Sequence, residues 1–275
     1  MIHLDSVTYS YNGTGNILNG ISIDIRPGEY IAVIGPNGSG KTTLLRHING
    51  LLAPSSGGVT VENLDTKNQR TLPRVRQIAG MVFQNPDNQI VGMTVEEDVA
   101  FGPGNLGLPP AEIRRRVERS LARVGIQDLS LRTPSTLSNG EKQLVAVAGV
   151  LAMEPRYLLL DEATAYLDPA GKARILEVIS ELDREGITIV HVTHDMDEAV
   201  RARRVIVVAE GRVIMDGPPA EIFTRGEDLA ALGLEIPAAA ALAHRLRSAG
   251  LPLPPGILTM EDAAVEIIKL LAVSF

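Results

Sequence analysis

Apolar and polar residues alternate from Ile2 to Tyr9 and again from Ile21 to Ile25, the period of half-buried antiparallel strands. Ile31-Ala32-Val33-Ile34, Met81-Val82-Phe83, Tyr157-Leu158-Leu159-Leu160 and Ile187-Thr188-Ile189-Val190-His191-Val192 are instead short, nearly unbroken apolar runs, which read as core strands. A helical pattern follows the first of these from Thr43 to Ile48, and another fills Ala170 to Glu185 between the last two. Strand, helix, strand in that order implies parallel pairing through right-handed crossovers. The turn cluster Pro54-Ser55-Ser56-Gly57-Gly58 leads into a short strand, Val59-Thr60-Val61. Val205 to Ala209 and Arg212 to Met215, joined at Glu210-Gly211, read as a hairpin. From about Thr94 to Ala152 the pattern is helical. Thr94 and Glu97 have capping-box spacing there, and Ile113, Val117, Leu121 and Val124 form one apolar stripe with Arg114, Arg115, Arg116 and Glu118 mostly outside it. Beyond Pro218-Pro219 come Ala-rich and Glu/Leu helices broken by Pro237 and by Pro252-Leu253-Pro254-Pro255.

With 275 residues, the chain can bury a substantial core as one large domain plus an appendage. A net charge of −7 argues against a nucleic-acid binder, which would carry a basic face. There is no cysteine, so no disulfide can form. Met1-Ile2-His3-Leu4-Asp5 lacks a charged segment followed by an apolar core and is not read as a signal peptide. No apolar run approaches the roughly 18–20 residues of a membrane span. The expectation is a soluble, cytoplasmic protein that meets a membrane only through partners.

The chemistry starts at Gly35-Pro36-Asn37-Gly38-Ser39-Gly40-Lys41-Thr42, which fits the phosphate-binding pattern G-x-x-x-x-G-K-[ST]. Glycines let such a turn bring backbone N–H groups against phosphate oxygens, where a helix N-terminus favours negative charge. Lys41 is expected to reach the β- and γ-phosphates, and the Thr42 hydroxyl to bind Mg²⁺. A chance Gly-rich turn matches this pattern in on the order of one chain in a hundred, and the flanking strand and helix lower that further. A nucleoside triphosphate is the expected ligand. Leu158-Leu159-Leu160-Asp161-Glu162 is an apolar strand ending in two acids. Alone, such acids more often cap a helix. Beside a phosphate loop at the carboxyl ends of parallel strands, Asp161 suits a Mg²⁺ contact and Glu162 can accept a proton from water attacking the γ-phosphate.

With these residues in place, the chain resembles the ATP-binding-cassette (ABC) ATPases over nearly its whole length. Gln84 looks like the family's Q-loop glutamine, and Leu137-Ser138-Asn139-Gly140-Glu141-Lys142-Gln143 is similar to its signature motif. Leu167-Asp168 matches the D-loop, and His194 in Val192-Thr193-His194-Asp195 matches the switch histidine. Tyr11 looks like the aromatic that stacks on adenine, though it also fits a simple strand residue. Ser138 and Glu141 have capping-box spacing, which by itself needs only to start a helix.

The resemblance implies a P-loop α/β core with a mainly parallel sheet, an antiparallel β subdomain and an inserted helical subdomain at about 85–155. These make an ATPase domain over 1–218, followed by a helical extension over 219–275 that dimerises, regulates or caps. It implies that ATP is held by Tyr11, Gly35, Pro36, Asn37, Gly38, Ser39, Gly40, Lys41, Thr42 and Thr43, and Mg²⁺ by Thr42, Gln84 and Asp161. Glu162, His194 and Gln84 would be catalytic, with Asp168 in the D-loop. Ser138 and Gly140 would act on nucleotide held by a second ATPase subunit, identical or paralogous. Three departures stand out: Asn139 replaces the signature's first glycine, Glu141 a common Gln, and Tyr166 a small D-loop residue.

Within the family the chain looks most like the ATPase subunits of energy-coupling-factor importers, which take up vitamins or cobalt and nickel ions. That likeness rests on Phe83 to Gln89, Val95 to Pro103, Asp161-Glu162-Ala163-Thr164 and Thr193 to Ala199. It implies a transmembrane coupling subunit, a substrate-binding membrane subunit and a place on the cytoplasmic face of the cell membrane, with Asn85 to Gln89 as candidate contact residues. An ordinary importer or exporter ATPase is the nearest alternative. A soluble cassette acting on ribosomes or DNA is a further one, disfavoured by the acidic balance.

Overall fold

Where the sequence alternates, the backbone pairs antiparallel; where it is uniformly apolar, it pairs parallel and is covered on both faces. The computed structural model describes residues 1–273 apart from 12 and 14. Its strands are β1 (Ile2–Tyr9), β2 (Leu18–Ile25), β3 (Tyr30–Ile34), β4 (Ser56–Val61), β5 (Leu64–Asp65), β6 (Ala79–Val82), β7 (Tyr157–Asp161), β8 (Thr188–Val192), β9 (Arg204–Ala209) and β10 (Arg212–Gly217). Its α-helices are α1 (Lys41–Ile48), α2 (Leu72–Ile78), α3 (Val95–Asn105), α4 (Pro110–Val124), α5 (Asn139–Leu151), α6 (Pro169–Arg184), α7 (Met196–Ala199), α8 (Pro219–Thr224), α9 (Gly226–Ala231), α10 (Ala238–Ser248) and α11 (Met260–Val273).

The central sheet runs β10-β9-β3-β8-β7-β6. Its neighbours from β9 to β6 pair parallel, and β10 closes the edge as the antiparallel arm of the Glu210-Gly211 hairpin. A second, antiparallel sheet runs β2-β1-β4-β5. Successive side chains of β3 leave by opposite faces. Ala32 and Ile34 join a core built with α3, α4, α5 and α6, while Ile31 and Val33 join another with α1 and the antiparallel sheet. Ala239, Ala243, Leu253, Ile257 and Ala263, from the chain's last stretch, form a small cluster of their own.

Thr94 and Ser138 each begin a helix with both capping-box hydrogen bonds made. Two differences from the sequence reading have local causes. Helix α2 has no amphipathic run long enough to stand out; it is a seven-residue helix that buries Leu72, Val75 and Ile78. The strand expected over Met81 to Phe83 starts earlier and ends at Val82. Phe83 leaves the ladder because its N–H donates to Gln89 Oε1 at 3.2 Å and its carbonyl accepts from Gln143 Nε2 at 3.2 Å. Among the described residues no helix is long and apolar enough to cross a membrane.

Candidate active site

The loop between β3 and α1 is possible only with glycine at its closest approaches. Gly35 has φ +155°, and a Cβ there would stand 2.0 Å from the Val208 carbonyl oxygen of β9. Gly40, at φ +104°, would place one 2.7 Å from Leu18 and 2.9 Å from the Ile17 carbonyl. Overpacking of this kind costs about 1–3 kcal/mol, so Gly35→Ala is expected to lower the denaturation midpoint and weaken nucleotide binding together. An unchanged midpoint in a urea titration would contradict that close packing.

The loop lines a crevice of about 270 Å³ with Tyr11, Ile17, residues 37–43 and Glu162 around it. Lys41 is buried, and its Nζ donates to the carbonyls of Gly35 at 2.7 Å and Pro36 at 3.0 Å. Burial pulls its ammonium below the ordinary lysine range, against the opposite pull of Glu162 and Asp161. Ser39 Oγ is buried with no hydrogen-bond partner among the described residues. A hydroxyl left unsatisfied inside a glycine cradle suits an anion that accepts from it.

Helix α1 packs close to β7, so residues remote in sequence meet here. Thr42 Oγ1 donates to Asp161 Oδ1 at 2.8 Å. Burial raises the Asp161 carboxyl above its usual range; the Thr42 hydrogen bond opposes the shift, the neighbouring Glu162 charge adds to it, and Arg46 and Lys41 oppose it. Among the described residues no group of three or more His, Cys, Asp or Glu could hold a metal alone. Two hard oxygens, with a glutamine nearby, fit a small cation completed by phosphate and water, which is the habit of Mg²⁺.

Glu162 follows at φ +50°, a left-handed conformation uncommon for a non-glycine residue, and its N–H donates to Val192 O at 3.0 Å. Such strain persists where the surroundings dictate it. Glu162 Oε2 accepts from Gln84 Nε2 at 2.7 Å and lies 3.5 Å from His194 Nδ1. The ends of β6, β7 and β8 thus deliver Gln84, Glu162 and His194 to one point. Tyr11 stands half-exposed at the crevice edge, its ring edge-on to Tyr9 and its hydroxyl 3.4 Å from Thr43 Oγ1.

Ser138 and Gly140 do not line this crevice. They open α5, where a Cβ on Gly140 would lie 3.4 Å from Gly171 Cα at the start of α6. Asp168 caps that neighbouring helix, accepting from Gly171 N at 3.0 Å. Sequence reasoning overlooked the fastenings that α5 and α3 make to the stretch around and after Gln84. Lys142 Nζ pairs with Asp87 at 2.7 Å, Gln143 holds the Phe83 carbonyl, and Asp98 Oδ1 accepts from Val91 N and Gly92 N. A signal was present for Gln143, a polar residue at the head of the apolar run of α5 that is almost completely buried.

The model of the ABC transporter family matches residues 18–165. The chain is 53% identical over 251 residues to the cobalt import ATP-binding protein CbiO of Syntrophus aciditrophicus, covering 91% of this chain and 90% of that protein. It is also 53% identical over 254 residues to the energy-coupling factor transporter ATP-binding protein EcfA1 of Symbiobacterium thermophilum, with 92% and 88% covered. Among solved structures it is similar to cbiO1 from Clostridium perfringens, part of the ABC transporter complex cbiONQ, at a TM-score of 0.76 and 40% identity over 90% of this chain and 98% of that one. It is likewise similar to the ATP-binding cassette MJ0796, a dimer in a post-hydrolysis state bound to ADP and Pi, at a TM-score of 0.72 and 30% identity over 79% and 98%.

Proposed function

This chain belongs to the ABC transporter family, and from that premise we propose that it is the ATPase subunit of an importer of the energy-coupling-factor type, for vitamins or for cobalt or nickel ions. It binds and hydrolyses ATP, and hydrolysis drives transport. The observation that carries the reading is the meeting of the Thr42–Asp161 pair with Gln84, Glu162 and His194 beside one phosphate loop. The relatives named for cobalt import and for energy-coupling factor transport supply the importer type.

Lys41, Ser39 and the loop N–H groups receive the phosphates, and Tyr11 offers its ring to adenine. Thr42 and Asp161, with Gln84, would hold Mg²⁺, which when bound would supply positive charge against that developing on the phosphates. Glu162 takes the proton of the attacking water, fixed in place by the Gln84 amide. His194, at the tip of β8, holds the γ-phosphate on the other side.

Ser138 and Gly140, at the capped start of α5, face nucleotide bound by a second cassette, so two subunits close around two ATP molecules. Asp168 sits beside them at that interface. Residues 85–155 form the helical subdomain of an ATPase domain over 1–218, and 219–275 an extension: its α8 and α9 put Ile222, Phe223 and Leu229 into the ATPase core, while residues from Ala239 on have a small apolar cluster of their own. Asn85 to Gln89, braced from α5, receives the transmembrane coupling subunit, which works with a substrate-binding membrane subunit; nucleic acid is no partner. The protein therefore sits on the cytoplasmic face of the cell membrane through those subunits.

Light scattering and purification from solubilised membranes test the assembly. Glu162→Gln with Mg-ATP is expected to run at twice the monomer mass, and the tagged wild type to bring down integral membrane subunits. A protein that stays monomeric under those conditions and retains no membrane partner overturns it.

A further inference from the structure

Beneath the catalytic groups lies a second carboxylate that the mechanism above does not use. Glu198, on α7, is 1% exposed. Burying an ionised carboxylate is unfavourable unless it is paired and hydrogen-bonded, and here both oxygens are engaged. Oε1 accepts from Thr164 Oγ1 at 2.7 Å and lies 3.0 Å from Lys172 Nζ. Oε2 accepts from Thr193 Oγ1 at 2.6 Å and lies 3.5 Å from His191 Nε2. Burial holds the His191 imidazole below its ordinary range, which leaves Lys172 as the cation of the cluster. Burial alone would depress Lys172, but its hydrogen bonds to Asp195 and Glu198 carry it above the ordinary range.

Asp195 and Glu198 have capping-box spacing, and Asp195 does cap α7 through Asp197 N and Glu198 N. Glu198 does not return the bond. The Asp195 N–H goes to Thr193 Oγ1 at 3.0 Å instead, freeing the Glu198 carboxylate to turn inward. Its two arms reach chain segments remote from each other in sequence. Thr164 lies two residues after Glu162, and Thr193 immediately precedes His194. Lys172, one turn into the helix that Asp168 caps, also pairs with Asp195.

We propose that Glu198 is a positioning residue, clamping Thr164 to Thr193 and so setting the separation of Glu162 and His194 on which hydrolysis depends. Misplacing reacting groups by about an ångström costs up to about 10²-fold in rate, whereas nucleotide binding draws on the loop around Lys41, which the clamp does not touch.

The inference rests on the roles given to Glu162 and His194, so the experiment measures Glu162→Gln and His194→Ala beside Glu198→Gln and Thr193→Val. Steady-state ATPase kinetics and ATP binding are followed in the full chain. Glu198→Gln keeps the volume and removes the charge; Thr193→Val cuts one arm should the first variant misfold. The expected result is a drop of about tenfold in kcat with the ATP dissociation constant within about threefold. In the His194→Ala background the same substitution is expected to cost less than about threefold, because the group it positions is gone. Near-normal kcat in both clamp variants overturns the proposal, as does an equal fold-loss with and without His194, the mark of a merely structural role. Near-normal turnover in Glu162→Gln instead removes the site reading on which it stands.

Discussion

Glu162→Gln is expected to slow ATP hydrolysis by about 10²–10⁴-fold, the range in which a positioned proton acceptor contributes. The substitution is close to isosteric. Its carbonyl oxygen can still accept from Gln84 Nε2, which stands 2.7 Å from the carboxylate. What is lost is the capacity to take up a proton. Lys41, Ser39 and the loop N–H groups are untouched, so ATP affinity should stay within a few-fold. Phosphate release under saturating Mg-ATP, measured beside equilibrium nucleotide binding, separates the two effects. Turnover close to that of the unaltered chain would take Glu162 out of the reaction. The φ of +50° at this position also sharpens the choice of variant. A β-branched replacement would add backbone strain in the left-handed region, whereas Gln adds none beyond what Glu already bears.

Why so much of this site can be seen in the sequence, and some of it cannot, follows from the range of the interactions. Local rules act over three or four residues. They place the phosphate loop between an apolar run and a helix, they start helices at Thr94 and Ser138, and they separate the alternating strands from those that pair parallel. The meeting of Asp161 with Thr42 is longer in range, but it follows from one topological rule, that ligands gather at the carboxyl ends of parallel strands. The path of Phe83 follows from no such rule. It depends on Gln89 and Gln143, side chains that compete with the ladder for its backbone groups. Glu198 was hidden for a similar reason. In the sequence its spacing from Asp195 suggests a helix start, and only the fold shows Thr164 and Lys172 arriving to hold its carboxylate inward. A buried ion declares itself by its partners, and those partners lie 34 and 26 residues away in sequence.

Lys41→Ala should fail at the other step, in binding rather than turnover. Its Nζ is held against the carbonyls of Gly35 and Pro36, aimed along the loop that is to take the phosphates. A hydrogen bond to a charged group is worth about 1.5–3 kcal/mol net, and each 1.4 kcal/mol is about tenfold in affinity. A loss of about 10–100-fold in ATP affinity is therefore expected, read by calorimetric titration with Mg-ATP. Alanine also removes a cation on which the Asp161 and Glu162 charges both act. Arg46 still acts on Asp161, but the repulsion of an incoming triphosphate by the two acids would be less fully compensated. ATP affinity equal to that of the unaltered chain would mean that Lys41 serves only to brace the loop. If instead binding falls while the residual turnover per bound ATP persists, recognition of the phosphates and cleavage of the bond are separable, with Lys41 governing the first and Glu162 the second.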